Sequence, residues 1–269
     1  MLETSLAQGA PVAAAQRKLE LAKGTFKYTA VERGIGFALA LLLLFTMHEF
    51  AHAYTAWKLG DPTPKEQGRV TLNPLAHLSL FGSIILPAIL IWRQSEVLFG
   101  WAKPVPFRPE NFRDPMRDKR CVAFAGPGTN LVFGMAALLS IVVIAFAVRL
   151  ISPETEGMNL ASPFASLSLA GPAASPYLAH TLWFLRQLVF TSVVLGCFNL
   201  LPFPPLDGSW ILSSLLPQRA MAAFEKLRAL GPIIFLVVIF TPALDIVLGI
   251  PLVIAWGLLA IPLGALGFA

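Results

Sequence analysis

Apolar residues run along this chain in blocks of membrane length, separated by polar, proline-rich stretches. The first block covers residues 33–59 and meets the roughly 20 apolar residues that a spanning helix needs. Residues 60–79 read as a loop, with Asp61-Pro62-Thr63-Pro64 and then Gly68-Arg69 and Asn73-Pro74. Residues 80–92 are apolar but short, and Pro87 interrupts them. That length suits a re-entrant or interfacial segment as well as a span. Residues 100–120 are polar and proline-rich and carry Lys103, Arg108, Arg113, Arg117, Lys119 and Arg120, so they cannot lie in lipid. A long apolar helix follows over 121–151. Its first turns hold Gly126-Pro127-Gly128-Thr129-Asn130, a sequence expected to kink or loosen the backbone. Residues 152–176 form an external loop rich in Ser, Ala, Pro and Gly. A helix over 177–201 stops at Pro202-Phe203-Pro204-Pro205, and two more, 231–248 and 251–266, join at Gly249-Ile250.

The pattern predicts an all-α fold, a polytopic membrane helix bundle of about five or six transmembrane helices with a re-entrant segment. Residues 1–32 are a polar N-terminal tail and residues 33–269 an integral-membrane domain. The run 35–45 followed by Ala51-His52-Ala53 has some features of a cleaved signal peptide. The long preceding tail with Glu3, Glu20 and Glu32 argues instead for an uncleaved membrane helix.

Composition supports the membrane reading. The chain is 56% hydrophobic and 13% charged, about half the charge of an ordinary soluble domain. Its net charge of +5 would suit nucleic acid, but Lys and Arg also collect in cytoplasmic loops of membrane proteins, so no nucleic-acid partner is expected. Cys121 and Cys197 form no closely spaced pair and read as small hydrophobes.

The chemistry lies in His48-Glu49-Phe50-Ala51-His52, within the first apolar block. Ionisable side chains at membrane depth cost a few kcal/mol each on insertion scales, so three in one short stretch are hard to explain as packing. Positions i and i+4 share a helix face, so His48 and His52 can bind one metal side by side. Glu49 beside them is a candidate general base, the H-E-x-x-H arrangement of zinc hydrolases. A catalytic zinc takes three protein ligands and keeps one position open. Candidates for the third are Asp207, Asp245, His77 and His180.

These residues resemble the site-2 protease family of intramembrane zinc metalloproteases. The likeness rests on His48-Glu49-Phe50-Ala51-His52 in a membrane helix, Gly126-Pro127-Gly128-Thr129-Asn130 opening a later one, and Asn199-Leu200-Leu201-Pro202 followed by Asp207-Gly208. The resemblance implies one zinc per chain, held by His48, His52 and Asp207. It implies Glu49 as the base that activates water, and Asn199 as a group holding the substrate backbone or the developing oxyanion. No PDZ module is recognisable, so the chain looks most like the compact bacterial branch, in the cell membrane, acting on transmembrane protein substrates. Asn130 reads as a hydrogen-bonding residue between helices, and His77 and His180 as a loop residue and a structural residue.

A rival reading is a metal transporter or a metal-binding membrane scaffold without turnover. A transporter needs polar residues along the whole membrane path, whereas the set above clusters at one depth. Zinc bonds of about 2 Å add a topological demand. If 80–92 spanned the membrane, the histidines and Asp207 would face opposite sides. The segment is therefore expected to be re-entrant, with the tail outside and both ligand-bearing helix ends towards the cytoplasm.

Overall fold

Helices dominate, and each long one follows an apolar block. The computed structural model describes residues 25–26, 30–92, 100–151, 167–168, 175–239, 241 and 243–266. A two-residue strand β1 (Thr25–Phe26) precedes helix α1 (Ala30–Lys58), a short helix α2 (Thr63–Glu66) and a π-helical turn over Leu80–Ile85 that runs into α3 (Leu86–Trp92). Then come α4 (Pro115–Ile151), β2 (Leu167–Ser168), α5 (Pro176–Asn199), the short α6 (Asp207–Ser213), α7 (Gln218–Ile239) and α8 (Ala243–Ala265).

Four stretches are long and apolar enough to cross a membrane: Gly34–Lys58, Pro115–Ile151, Tyr177–Asn199 and Val247–Ala265. The fold is thus an all-α multi-pass membrane bundle, with four candidate spans among the described residues in place of the five or six expected. The difference lies in the C-terminal third. The helix expected over 231–248 does not exist as a unit: α7 stops at Ile239 and α8 starts at Ala243, so the break falls just before Ala243. Gly249-Ile250, the expected joint, lies inside α8, which also carries Pro251 and Pro262. Neighbouring helices and local adjustment re-satisfy the backbone groups that proline frees in such a helix. Most of the tail and of the 152–176 loop lies outside the described residues.

The core mixes alanines with Leu, Ile and Val side chains on facing helices. Ala40 and Leu44 of α1, Ile141 and Ala145 of α4, Ala179, Leu182 and Val189 of α5, and Ala255, Leu259 and Leu263 of α8 are buried together. Alanines let helix backbones approach closely where lipid removes the hydrophobic drive for association. Large apolar side chains such as Leu139, Val143 and Phe146 point outward, as on a lipid-facing surface. Helix α4 packs along both α1 and α5, and α8 closes against α5.

The segment after Ser79 behaves as a re-entrant loop. Its helical part, Leu80–Trp92, would reach about 20 Å, short of the roughly 30 Å hydrocarbon layer. Its two ends also meet. Trp101 N–H donates to Gly82 O (3.2 Å), Ser83 Oγ donates to Trp101 O (2.7 Å), and Lys103 N–H donates to His77 O (2.7 Å). The chain therefore leaves and returns on one side of the bundle. At the other end, Thr25 pairs with Ser168 and Phe26 with Leu167 in an antiparallel register, joining the tail to the loop between α4 and α5. These two segments consequently share a side, as the expected topology requires.

Candidate metal centre

Helix α1 presents His48 and His52 one turn apart on one face, as the spacing dictates. Asp207 opens α6, just beyond the end of α5. The three converge. His48 Nε2 and His52 Nε2 stand 3.0 Å apart, and Asp207 Oδ2 lies 3.1 Å from the first and 3.3 Å from the second. Donors about 2.0–2.1 Å from one zinc at tetrahedral angles stand roughly 3.3 Å apart, so the trio has the spacing of three ligands of a single ion. It is the one group of three or more His, Cys, Asp or Glu with metal-binding geometry among the described residues.

The surroundings fit a metal as well. His52 Nδ1 lies 2.7 Å from Val122 O. A carbonyl only accepts, so Nδ1 carries the ring proton and Nε2 offers its lone pair to the trio. Gly126 of α4 keeps the space in front of the histidines open. A Cβ placed there would come within 2.3 Å of His52 Nε2 and 2.7 Å of His48 Nε2. Gly208 has a parallel role, because a Cβ there would lie 2.3 Å from Leu200 O and 2.4 Å from Leu201 O. The absence of a side chain lets α6 start tight against the end of α5 and brings Asp207 to the histidines. Gly126 is thus the point of close approach to the histidines within a continuous helix, α4.

Glu49 stays outside the trio. It is buried, at 8% exposure, and its Oε2 accepts the backbone N–H of Val105 at 3.0 Å. Arg69 anchors the strip that supplies this N–H, donating to the carbonyls of Ala76, Lys103 and Pro104. Asp61, just past α1, ties the same region further along. Its carboxylate accepts from Thr63 N–H, Thr63 Oγ, Arg108 N–H (2.6 Å) and Asn111 Nδ2 (2.8 Å). Burial alone would raise its pKa, yet these hydrogen bonds to the charged form hold it below the ordinary carboxylate value.

The remaining residues singled out in the sequence are placed as follows. Asn199 is the last residue of α5, and its Nδ2 donates to Leu195 O (3.0 Å) in its own helix. His77 is buried in the loop, with its Nε2 2.8 Å from Thr71 O. His180 is exposed near the start of α5, at the far end of that helix from Asn199. Asp245 falls in α8, and its side chain lies outside the described residues. Cys121 and Cys197 are free thiols. Sequence reading missed Val105, Arg69 and Asp61. Val105 acts through its backbone, which no residue pattern reports, and Arg69 and Asp61 look like any charged loop residue. Arg186 was legible but overlooked: an ionisable residue inside the apolar 177–201 block, buried at 2% exposure in α5.

Comparisons with known proteins lead to zinc metalloproteases. The profile of Peptidase family M50 matches residues 36–241. The chain is 36% identical over 205 residues to the "Putative zinc metalloprotease YwhC" of Bacillus subtilis strain 168, covering 76% of this chain and 80% of that one. It is 31% identical over 204 residues to the protein of Mycolicibacterium smegmatis that bears the name "Putative zinc metalloprotease Rip2", with 76% of this chain and 66% of that one covered. The Rip2 of Mycobacterium tuberculosis H37Rv is 29% identical over the same length. No solved structure matches. Membership in a peptidase family decides between the hydrolase and the transporter or scaffold, and the chain belongs to Peptidase family M50, the site-2 protease family, as a membrane-embedded zinc metalloendopeptidase.

Proposed function

We propose that this enzyme is an intramembrane endopeptidase of the bacterial cell membrane that hydrolyses peptide bonds in or next to transmembrane segments of membrane proteins. The observation that carries the reading is the depth of the site. His48, Glu49 and His52 lie inside the candidate span Gly34–Lys58 and are buried among apolar helices. That setting suits a substrate that approaches through or along the bilayer.

His48, His52 and Asp207 would hold the zinc. When bound, zinc supplies the charge that polarises a scissile carbonyl and makes water acidic near neutral pH. The chain's own residues do the rest. Glu49 is the base that takes the proton from the attacking water and returns it to the leaving amine, a contribution of roughly 10²–10⁴-fold. The Val105 N–H on Oε2 fixes the direction of that carboxylate and leaves Oε1 for the proton. Asn199 Nδ2 has two hydrogens, of which Leu195 O takes one. The second is offered to a substrate carbonyl, and losing such a donor costs on the order of 10²-fold in rate. The re-entrant segment with the 100–105 strip packed on it walls the site on the loop side.

Glu49→Gln tests the reading. The variant is expected to keep zinc and to accumulate uncut membrane proteins in cells, seen by quantitative proteomics of the membrane fraction. If the proteins that accumulate are soluble ones, with no transmembrane segment among them, the proposed substrate class is wrong.

A further inference from the structure

The side of His48 away from the trio meets a residue that the chemistry above does not use. Asn130 of α4 is fully buried, at 0% exposure, and its side-chain amide lies 3.1 Å from His48 Nδ1. In the orientation shown, Nδ2 faces the ring nitrogen and Oδ1 has no hydrogen-bond partner. The nitrogen and oxygen of an amide are told apart only by the network around them. Here the demand of the metal on His48 decides. An amide donor aimed at Nδ1 would leave the ring proton of neutral His48 on Nε2. That atom sits 3.0 Å from His52 Nε2 and 3.1 Å from Asp207 Oδ2, where a metal needs a lone pair. Turning the amide about its own axis removes the conflict. Oδ1 then accepts the Nδ1–H of His48 and gains its donor, and Nδ2 takes the buried place in which Oδ1 had no partner.

We propose that Asn130 is the positioning residue of the zinc centre, accepting the Nδ1–H of His48 through Oδ1 and so holding Nε2, with its lone pair free, towards the metal. The proposal rests on the assignment of His48, His52 and Asp207 as zinc ligands. It pairs Asn130 with Val122, whose carbonyl does the same for His52. Both partners come from α4, eight residues apart, so this one helix orients both histidines of α1. Gly126 sits between them and lets α4 approach closely enough to do so. What reads in the sequence as interhelical glue is therefore a support for the metal ligand.

The test measures zinc affinity by chelator competition on the full chain in detergent, together with the melting temperature of the zinc-free protein. Asn130→Leu is expected to weaken zinc binding by about 10–100-fold, the usual effect of losing such a partner. The isosteric Asn130→Asp, a stronger acceptor, is expected to bind zinc at least as tightly as wild type. Asp207→Ala serves as the ligand control. Normal zinc affinity in Asn130→Leu beside a loss in Asp207→Ala overturns the positioning role and leaves the zinc assignment standing. Undiminished zinc in Asp207→Ala overturns the assignment, and the proposal with it. If Asn130→Leu does not fold, Asn130→Asp decides alone, and a folded Asp variant with weakened zinc binding rejects the proposal. A drop confined to the zinc-free melting temperature marks a purely structural residue and also rejects it.

Discussion

Glu49 and Val105 are joined by a 3.0 Å hydrogen bond across 56 positions of sequence, from a loop backbone N–H to a carboxylate of α1. The contact makes the direction of the proposed base depend on a loop, and the loop depends on Arg69. One buried guanidinium gathers three carbonyls, from Ala76, Lys103 and Pro104, on both arms of the re-entrant segment. The fan of donors on Arg suits this task, and the single ammonium of Lys does not.

Arg69→Ala is therefore expected to lower cleavage on the order of 10²-fold, the scale of an ångström-level misplacement of a reacting group, with zinc affinity unchanged. Arg69→Lys is expected to restore little. Cleavage by Arg69→Ala within a factor of two of wild type would show that the strip holds its place without Arg69.

Gly126→Ala is expected to cost more than a helix-favouring substitution should. On an exposed helical surface the change stabilises by up to about 1 kcal/mol. Here the new Cβ would collide with His52 Nε2 and His48 Nε2, so one histidine must turn away. Metal analysis of the purified variant is expected to give well under one zinc per chain, as for Asp207→Ala. Full zinc occupancy in Gly126→Ala would mean that α4 can shift back without harm.

Asp61 links folding to pH. Its carboxyl pKa is held below the ordinary value of 3.8 in the folded chain. The unfolded chain then binds more protons at low pH, so this contribution is complete above the unfolded value and is lost as pH falls through the folded one. The melting temperature of wild type is expected to fall below about pH 4 more steeply than that of Asp61→Asn. At neutral pH, Asp61→Ala leaves the buried Thr63 N–H and hydroxyl without their acceptor and is expected to cost about 1–3 kcal/mol. Parallel pH profiles of wild type and Asp61→Asn would remove the carboxylate from this role.

Sidedness follows from the shared ends of the bundle. The β1–β2 pairing puts the tail and the loop between α4 and α5 on one side, and the C-terminal ends of α1 and α5, with Asp207 just beyond the latter, on the other. The charge distribution favours the second side as the cytoplasmic one, since most Lys and Arg of the loops then lie inside. Single cysteines at positions 10 and 160, in a Cys121- and Cys197-free background, are expected to react together with an impermeant reagent added outside. A cysteine at position 110 is expected to react only after the membrane is opened. Reaction of positions 10 and 160 from opposite sides contradicts the topology.

By itself the sequence determined what local spacing and solvent preference control. Long apolar blocks have to become helices in lipid, because every backbone group must be satisfied within the segment, and α1, α4 and α5 follow the blocks closely. His48 and His52 share a face because four residues make about one turn. The resemblance then marked Asp207 as their partner, and the structure brings all three within ligand distance of one ion. What only the tertiary structure decided are contacts between distant segments and between atoms that carry no residue signature. The number of candidate spans depended on where α7 ends, a matter of packing that hydropathy does not resolve. The partners of the site are a loop N–H at Val105 and a helix carbonyl at Val122. Backbone atoms are the same at every position, so their roles exist only once the chain has folded around the histidines.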